Sequence, residues 1–147
     1  LQVLGVARSA DDLSHRSRLA QGARQRASDE TDTDDAQALS ALLLDAVEQG
    51  VDFIFTTGGT GIGPRDISPE VAKSVIQKEI PGIMEMIRMK YGAEKPNALL
   101  SRGVAGSAGT SLIFTLPGSV KAVNEYMHEI TGSLQHMVYM LHGLDTH

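Results

Sequence analysis

The residues whose types and spacing can do chemistry lie in Gly58-Gly59-Thr60-Gly61-Ile62-Gly63-Pro64-Arg65-Asp66. Glycines let a backbone turn tightly against a ligand and present several N–H groups to an anion. Ser68-Pro69-Glu70 then opens a helix, whose positive end favours negative charge nearby. A phosphate suits such a loop. Arg65 can clamp phosphate oxygens, and an ionised Asp66 can hold the Mg²⁺ that accompanies a nucleotide. Two common phosphate fingerprints are excluded. Gly58 to Gly63 has the reach of a Walker loop, but Pro64 and Arg65 stand where Lys and Ser/Thr are required. A dinucleotide motif starting at Gly59 ends on Pro64 instead of its last glycine. Glycine content alone is equally compatible with a plain strand-to-helix turn; Arg65-Asp66 favours a ligand site.

Other chemistry is sparse. The acidic run Asp29 to Asp35 is, by composition, a solvated surface. His128, His136 and His142 have no carboxylate or second histidine spaced to complete an obvious metal site and read as surface histidines, and no serine sits in a Gly-x-Ser-x-Gly elbow. Met84, Met86 and Met89 read as core or subunit-interface filler.

The elements that must position the loop follow from periodicity. Leu1 to Ala7 reads as a first strand weakened by Gly5, and Ser14 to Arg26 as a polar helix in a segment with few apolar residues. Ala36 to Glu48 places Leu39, Leu42, Leu43, Ala46 and Val47 at helical spacing, with Asp34 or Asp35 as N-cap. Val51 to Thr56 is a buried strand leading into the loop. Pro69 to Glu79 is a second helix stopped by Pro81-Gly82, and Ile83 to Tyr91 a third. Ser111 to Leu116 is a strand, and Pro117-Gly118-Ser119 a second strand-to-helix turn. Ser119 to His142 is a long helix bent near Gly132, with Val123, Tyr126, Met127, Ile130, Leu134, Met137, Met140 and Leu141 as its apolar stripe. Alternating helix and strand means an α/β layer fold, with both turns at carboxyl ends of strands, where open α/β sheets bind ligands.

Composition sets limits. A chain of 147 residues fits one domain with a real core. A formal charge of −5 without any Lys/Arg run argues against nucleic acid, which is bound by phosphate neutralisation. The absence of cysteine excludes disulfides, thiolate catalysis and Cys-ligated metal, and suits a cytoplasmic protein. No apolar run approaches the roughly 20 residues of a membrane-spanning helix.

Three stretches together resemble the MogA/MoaB family of molybdenum-cofactor biosynthesis, and the gephyrin G domain: Thr56-Thr57-Gly58-Gly59-Thr60-Gly61 with Pro64-Arg65-Asp66 and Pro69-Glu70, then Leu100-Ser101-Arg102, then Leu116-Pro117-Gly118. The likeness runs from about Asp34 to His142. It implies a three-layer αβα fold with a central, mostly parallel sheet, a single domain over 1–147 with 1–33 atypical, and a homotrimer. The implied activity is molybdopterin adenylyltransferase, moving AMP from Mg·ATP to the molybdopterin phosphate with release of pyrophosphate. Such a reaction brings two anions together, so positioning and charge neutralisation carry it and no covalent nucleophile is needed.

The resemblance also implies roles. Asp66 and Asp34 match the two family carboxylates, catalytic and Mg²⁺-holding, with Thr33 replacing a family proline before Asp34. Thr57, Gly58, Gly59, Thr60, Gly61 and Arg65 match the loop around the nucleotide and pterin phosphates. Ser101 and Arg102 match the pterin site, and Pro117 and Gly118 the second ligand loop. The first third departs from the family. Ser9-Ala10-Asp11 only faintly matches its first Ser-Asp, His15-Arg16-Ser17-Arg18 matches its Asp-x-Ser-Gly poorly, and the segment is short by about one strand of ~5–6 residues. That departure favours one alternative, a binding-only MoaB-type paralogue; the likeness to gephyrin implies another, a self-associating scaffold module.

Overall fold

The computed structural model describes residues 2–7 and 31–144. The first half of its elements are β1 (Gln2–Ala7), α1 (Thr31–Glu48), β2 (Phe53–Thr57), α2 (Ser68–Val75) and β3 (Lys78–Glu79). After these come α3 (Pro81–Gly92), a 3-10 turn (Pro96–Leu100), β4 (Ala105–Ala108), β5 (Ser111–Leu116) and α4 (Val120–Leu141).

The strands form one sheet in the order β1-β2-β5-β4-β3. Period-2 alternation divides the core into two layers. Phe53 and Phe55 of β2 and Leu112, Phe114 and Leu116 of β5 face α3 and α4, meeting Met84, Ile87, Tyr126, Ile130, Leu134 and Met137. Ile54 and Ile113 point the other way, into Leu39 and Leu43 of α1 and Val71, Ala72 and Val75 of α2. The result is three layers, αβα. Phe55 and Phe114 stack with centroids 5.2 Å apart, a pairing that contributes about 0.5–1.5 kcal/mol beyond buried area.

The sheet corrects one expectation. Among the described strands only β2 and β5 run parallel, with Thr57 opposite Leu116. The pairs β1–β2, β4–β5 and β3–β4 are antiparallel, so the sheet is mixed and not mostly parallel. A hairpin at Gly109, in the left-handed region at φ 57°, reverses the chain between β4 and β5. In β1 the register shifts between Leu4 and Val6, where Gly5 admits the irregularity.

Helix boundaries also differ. Asp34 and Asp35 are not caps, because α1 begins at Thr31 and they sit within it. Helix α2 ends at Val75: Ile76 turns to an extended ψ of 129°, and Lys78–Glu79 pairs with β4 as an edge strand. Pro81 starts α3, its missing N–H costing nothing in a first turn. Helix α4 runs through Gly132 unbroken; its stripe is buried at Tyr126, Ile130, Leu134 and Met137, while Met140 is exposed. The expected helix Ser14 to Arg26 lies outside the described residues.

Candidate active site

Strands β2 and β5 end side by side, and the two loops leaving them converge. The Gly58 amide donates to Leu116 O at 2.9 Å, and a Cβ placed on Gly118 would stand 3.4 Å from Gly58 Cα. Pro117-Gly118 therefore packs directly beside the first loop. Gly58 and Gly59 have φ of 87° and 66°, values that cost an L-residue roughly 1–2 kcal/mol. Among the described residues no atom outside its chain neighbours lies within 4 Å of a Cβ at Gly58, so its glycine answers to backbone conformation, not to space. Ser68 ties the loop to α2: its amide donates to Gly59 O at 3.1 Å and its hydroxyl to Gly58 O at 2.8 Å. No described residue accepts from the amides of Gly59, Thr60, Gly61 or Ile62, a row of donors of the kind that receives phosphate.

Asp66 closes the loop on itself. Its Oδ2 accepts from the Gly63 amide at 2.8 Å, and its own amide donates to Gly63 O at 3.0 Å. A Cβ on Gly61 would meet that Oδ2 at 2.7 Å, which is why the position has no side chain. Arg65 points outward, exposed and unpaired among the described residues. Arg102 is the opposite case. Its Nε donates to Gly61 O at 2.6 Å, its Nη2 to Asp66 O and its Nη1 to the Glu70 carboxylate.

Ser101 and Arg102 also line a cavity of about 390 Å³ with Lys73, Glu79, Glu85 and Arg88, a size within the range of small-molecule sites. The glycines of the loop do not line it; Arg102 stands between the two spaces. Ser101 Oγ accepts weakly from the Gly103 amide at 3.4 Å. Arg88 fixes this segment by donating to Ser101 O at 3.3 Å and Gly103 O at 3.0 Å. Arg88, Glu79 and Glu85 were not foreseen in the sequence. The one available signal was a lone arginine four residues after the inward-facing Met84, on a helix otherwise packed on the sheet.

Asp34 is exposed in α1. Its neighbour Thr33 borders a shallow apolar depression shared with Glu70, Val71 and Ser74 of α2, and no bond joins Asp34 to Asp66. Among the described residues no three His, Cys, Asp or Glu gather as a ready-made metal cage. Two acids on separate elements nevertheless suit Mg²⁺, which binds through one or two carboxylates and completes its shell with water and substrate phosphates. Among the described residues no donor reaches Asp66 Oδ1, so it fits that part. Thus the structure brings Thr57, the glycines, Asp66, Arg102 and Pro117-Gly118 together, with Ser101 beside them, and leaves Arg65 and Asp34 exposed, with no bond to the others.

Residues 19–136 match the family described as "Probable molybdopterin binding domain". The chain belongs to that family. Membership covers every site residue named above and bears out the MogA/MoaB resemblance. The chain is 43% identical over 111 residues to molybdenum cofactor biosynthesis protein B of Staphylococcus carnosus, covering 74% of this chain and 65% of that protein. It is 41% identical over 96 residues to a molybdopterin adenylyltransferase of Helicobacter pylori, covering 65% of this chain and 54% of the relative. It thus spans less than two thirds of the length of both curated relatives. Among solved structures, the molybdopterin biosynthesis Mog protein of Mycobacterium ulcerans superposes with a TM-score of 0.69 at 39% identity, over 71% of this chain and 69% of that one. No helix among the described residues is long and apolar enough to cross a membrane.

Proposed function

We propose that the protein is a molybdopterin adenylyltransferase using Mg·ATP. The observation that carries this reading is the convergence at the ends of β2 and β5: loop amides without an acceptor among the described residues, the Pro117-Gly118 loop against Gly58, and the Asp66 carboxylate, in a chain of a molybdopterin-binding family.

An oxygen of the molybdopterin terminal phosphate attacks the α-phosphorus of ATP, forming one P–O bond, while the bond from that phosphorus to the bridging oxygen breaks and pyrophosphate leaves. No proton relay or covalent adduct on the protein is required. The amides of Gly59 to Ile62 receive phosphate oxygens, and Arg65, free at the rim, neutralises the polyphosphate. Asp66 and Asp34 hold Mg²⁺, which supplies charge neutralisation on the triphosphate. Thr57, Thr60, Pro117 and Gly118 shape the space between the loops. Ser101, with its hydroxyl proton uncommitted to any described acceptor, donates to the pterin in the adjoining cavity, whose Glu79 and Glu85 offer acceptors to the N–H edge of a pterin ring. We take the chain to be one cytoplasmic domain that acts as a homotrimer. Exposed Met86 and Met89 of α3, with Leu99 and Leu100, provide an apolar contact surface for it.

The test is purified protein given molybdopterin, ATP and Mg²⁺, with the pterin product weighed by mass spectrometry. Addition of one adenylyl group supports the reading. Tight pterin binding without it favours the binding-only paralogue, a second reading that rests on the altered residues 1–33.

A further inference from the structure

Two arginines flank the glycine loop, and the structure separates their tasks. Arg65 is exposed and makes no hydrogen bond or ion pair with a described residue, whereas Arg102 spends its guanidinium on the protein. Its Nε reaches Gly61 O and its Nη2 reaches Asp66 O, the two ends of the loop's exposed arc. Its Nη1 reaches Glu70 in the first turn of α2, and its main-chain amide donates to Thr60 O at 2.8 Å. One residue therefore bonds the loop at Thr60, Gly61 and Asp66 and anchors it to the following helix. Within the arc so closed, the Asp66 carboxylate accepts from Gly63 and lies against Gly61 and Gly63, leaving them no room for a Cβ.

We propose that Arg102 is a positioning residue that holds the loop shut around Asp66, and that Arg65, not Arg102, supplies the guanidinium that faces the polyphosphate. Only a planar fork with donors on three nitrogens reaches two carbonyls and a carboxylate at once; an ammonium is a single point charge and cannot. The contacts are partly exposed, with 37% of the Arg102 side chain accessible. Water can therefore replace them in a variant, and the fold survives while the loop loosens. For the reaction, the inference rests on the adenylyltransferase reading above, and a displacement of about 1 Å in a reacting group costs on the order of 10²-fold in rate.

The decisive experiment needs no substrate. Amide hydrogen exchange at Gly63 and Asp66, the two loop amides bonded within the arc, is measured in ligand-free wild type, Arg102→Ala, Arg102→Lys and Arg65→Met. Exchange at least tenfold faster in both Arg102 variants, with the same melting curve, and unchanged in Arg65→Met is the expected result. Unchanged exchange in Arg102→Lys and Arg102→Ala overturns the proposal, whatever the activity. In turnover, Arg102→Ala lowers kcat and free guanidinium ion at tens of millimolar restores part of it, while Arg65→Met raises KM for ATP. A pure KM effect at Arg102, with no guanidinium rescue, makes it a ligand clamp and also overturns the proposal.

Discussion

Asp66→Asn isolates charge from shape at the centre of the site. The wild-type Oδ2 accepts from the Gly63 amide at 2.8 Å, and the Asn side-chain oxygen can accept the same bond. What is lost is the ionic share of one half-exposed hydrogen bond: about 1 kcal/mol, from roughly 1.5–3 for a charged acceptor to 0.5–1.5 for a neutral one. In a domain of this size that lowers Tm by about 2–4 °C. The catalytic loss is far larger. A carboxylate that holds Mg²⁺ against a triphosphate contributes several kcal/mol of charge stabilisation in the transition state; taking ~4 kcal/mol, the rate falls about 10³-fold. Thermal melts and steady-state pyrophosphate release on one preparation give both numbers. A small Tm change with turnover within tenfold of wild type would refute the metal role, and a collapse of Tm would show that Asp66 is chiefly a structural closure.

The remaining predictions separate other links. Asp34→Asn, at an exposed helical position, leaves stability within about 0.5 kcal/mol of wild type but lowers turnover and raises the Mg²⁺ concentration needed for half activity, read by metal titration. Gly106→Ala drives a Cβ to 2.4 Å from Ile76 Cγ2 and 2.7 Å from Lys78 O, so overpacking costs about 1–3 kcal/mol, measured by denaturant melts. Lys90 and the Tyr91 hydroxyl donate to Glu129 at 2.7 and 2.9 Å, joining α3 to α4. The Glu129 bond raises Lys90 above the ordinary lysine value, and the Lys90 bond, then Tyr91, holds Glu129 below the ordinary carboxylate range. The lowered carboxyl gives stability that is present above its unfolded value and lost as pH falls through its folded one; the raised lysine gives stability lost as pH climbs through its own. Lys90→Met is accordingly destabilised near neutral pH and converges on wild type in acid below the Glu129 titration, a pattern that melts across pH reveal.

Legibility in the sequence followed the strength of local patterns. β5 and the core of α4 announce themselves in Leu112-Ile113-Phe114 and in Tyr126, Ile130, Leu134 and Met137, where period and burial agree. The glycine loop with Arg65-Asp66 was legible because few turns need so many unhindered amides beside opposite charges. Strand β4 was not, since Ala105-Gly106-Ser107-Ala108 lacks the β-branched and aromatic residues that mark strands. Its smallness is imposed from across the sheet, where Ile76 and Lys78 crowd Gly106. Pro81 was read as a stop although it begins α3, because proline punctuates both events. The cavity and the Arg102 tie escaped altogether. Each joins residues that are distant in sequence, Arg102 to Gly61 and Arg88 to Gly103, and no periodicity encodes such a meeting.

The central claim is adenylyl transfer at the paired loops, and isotope position tests it most directly. Wild-type protein with molybdopterin and Mg²⁺ receives ATP labelled in the α-phosphate or, separately, in the γ-phosphate. The account predicts α-label in the pterin product and γ-label in pyrophosphate, each dependent on molybdopterin. Label from the γ-phosphate appearing on the pterin, or as inorganic phosphate with the α-label left in ADP, would contradict it.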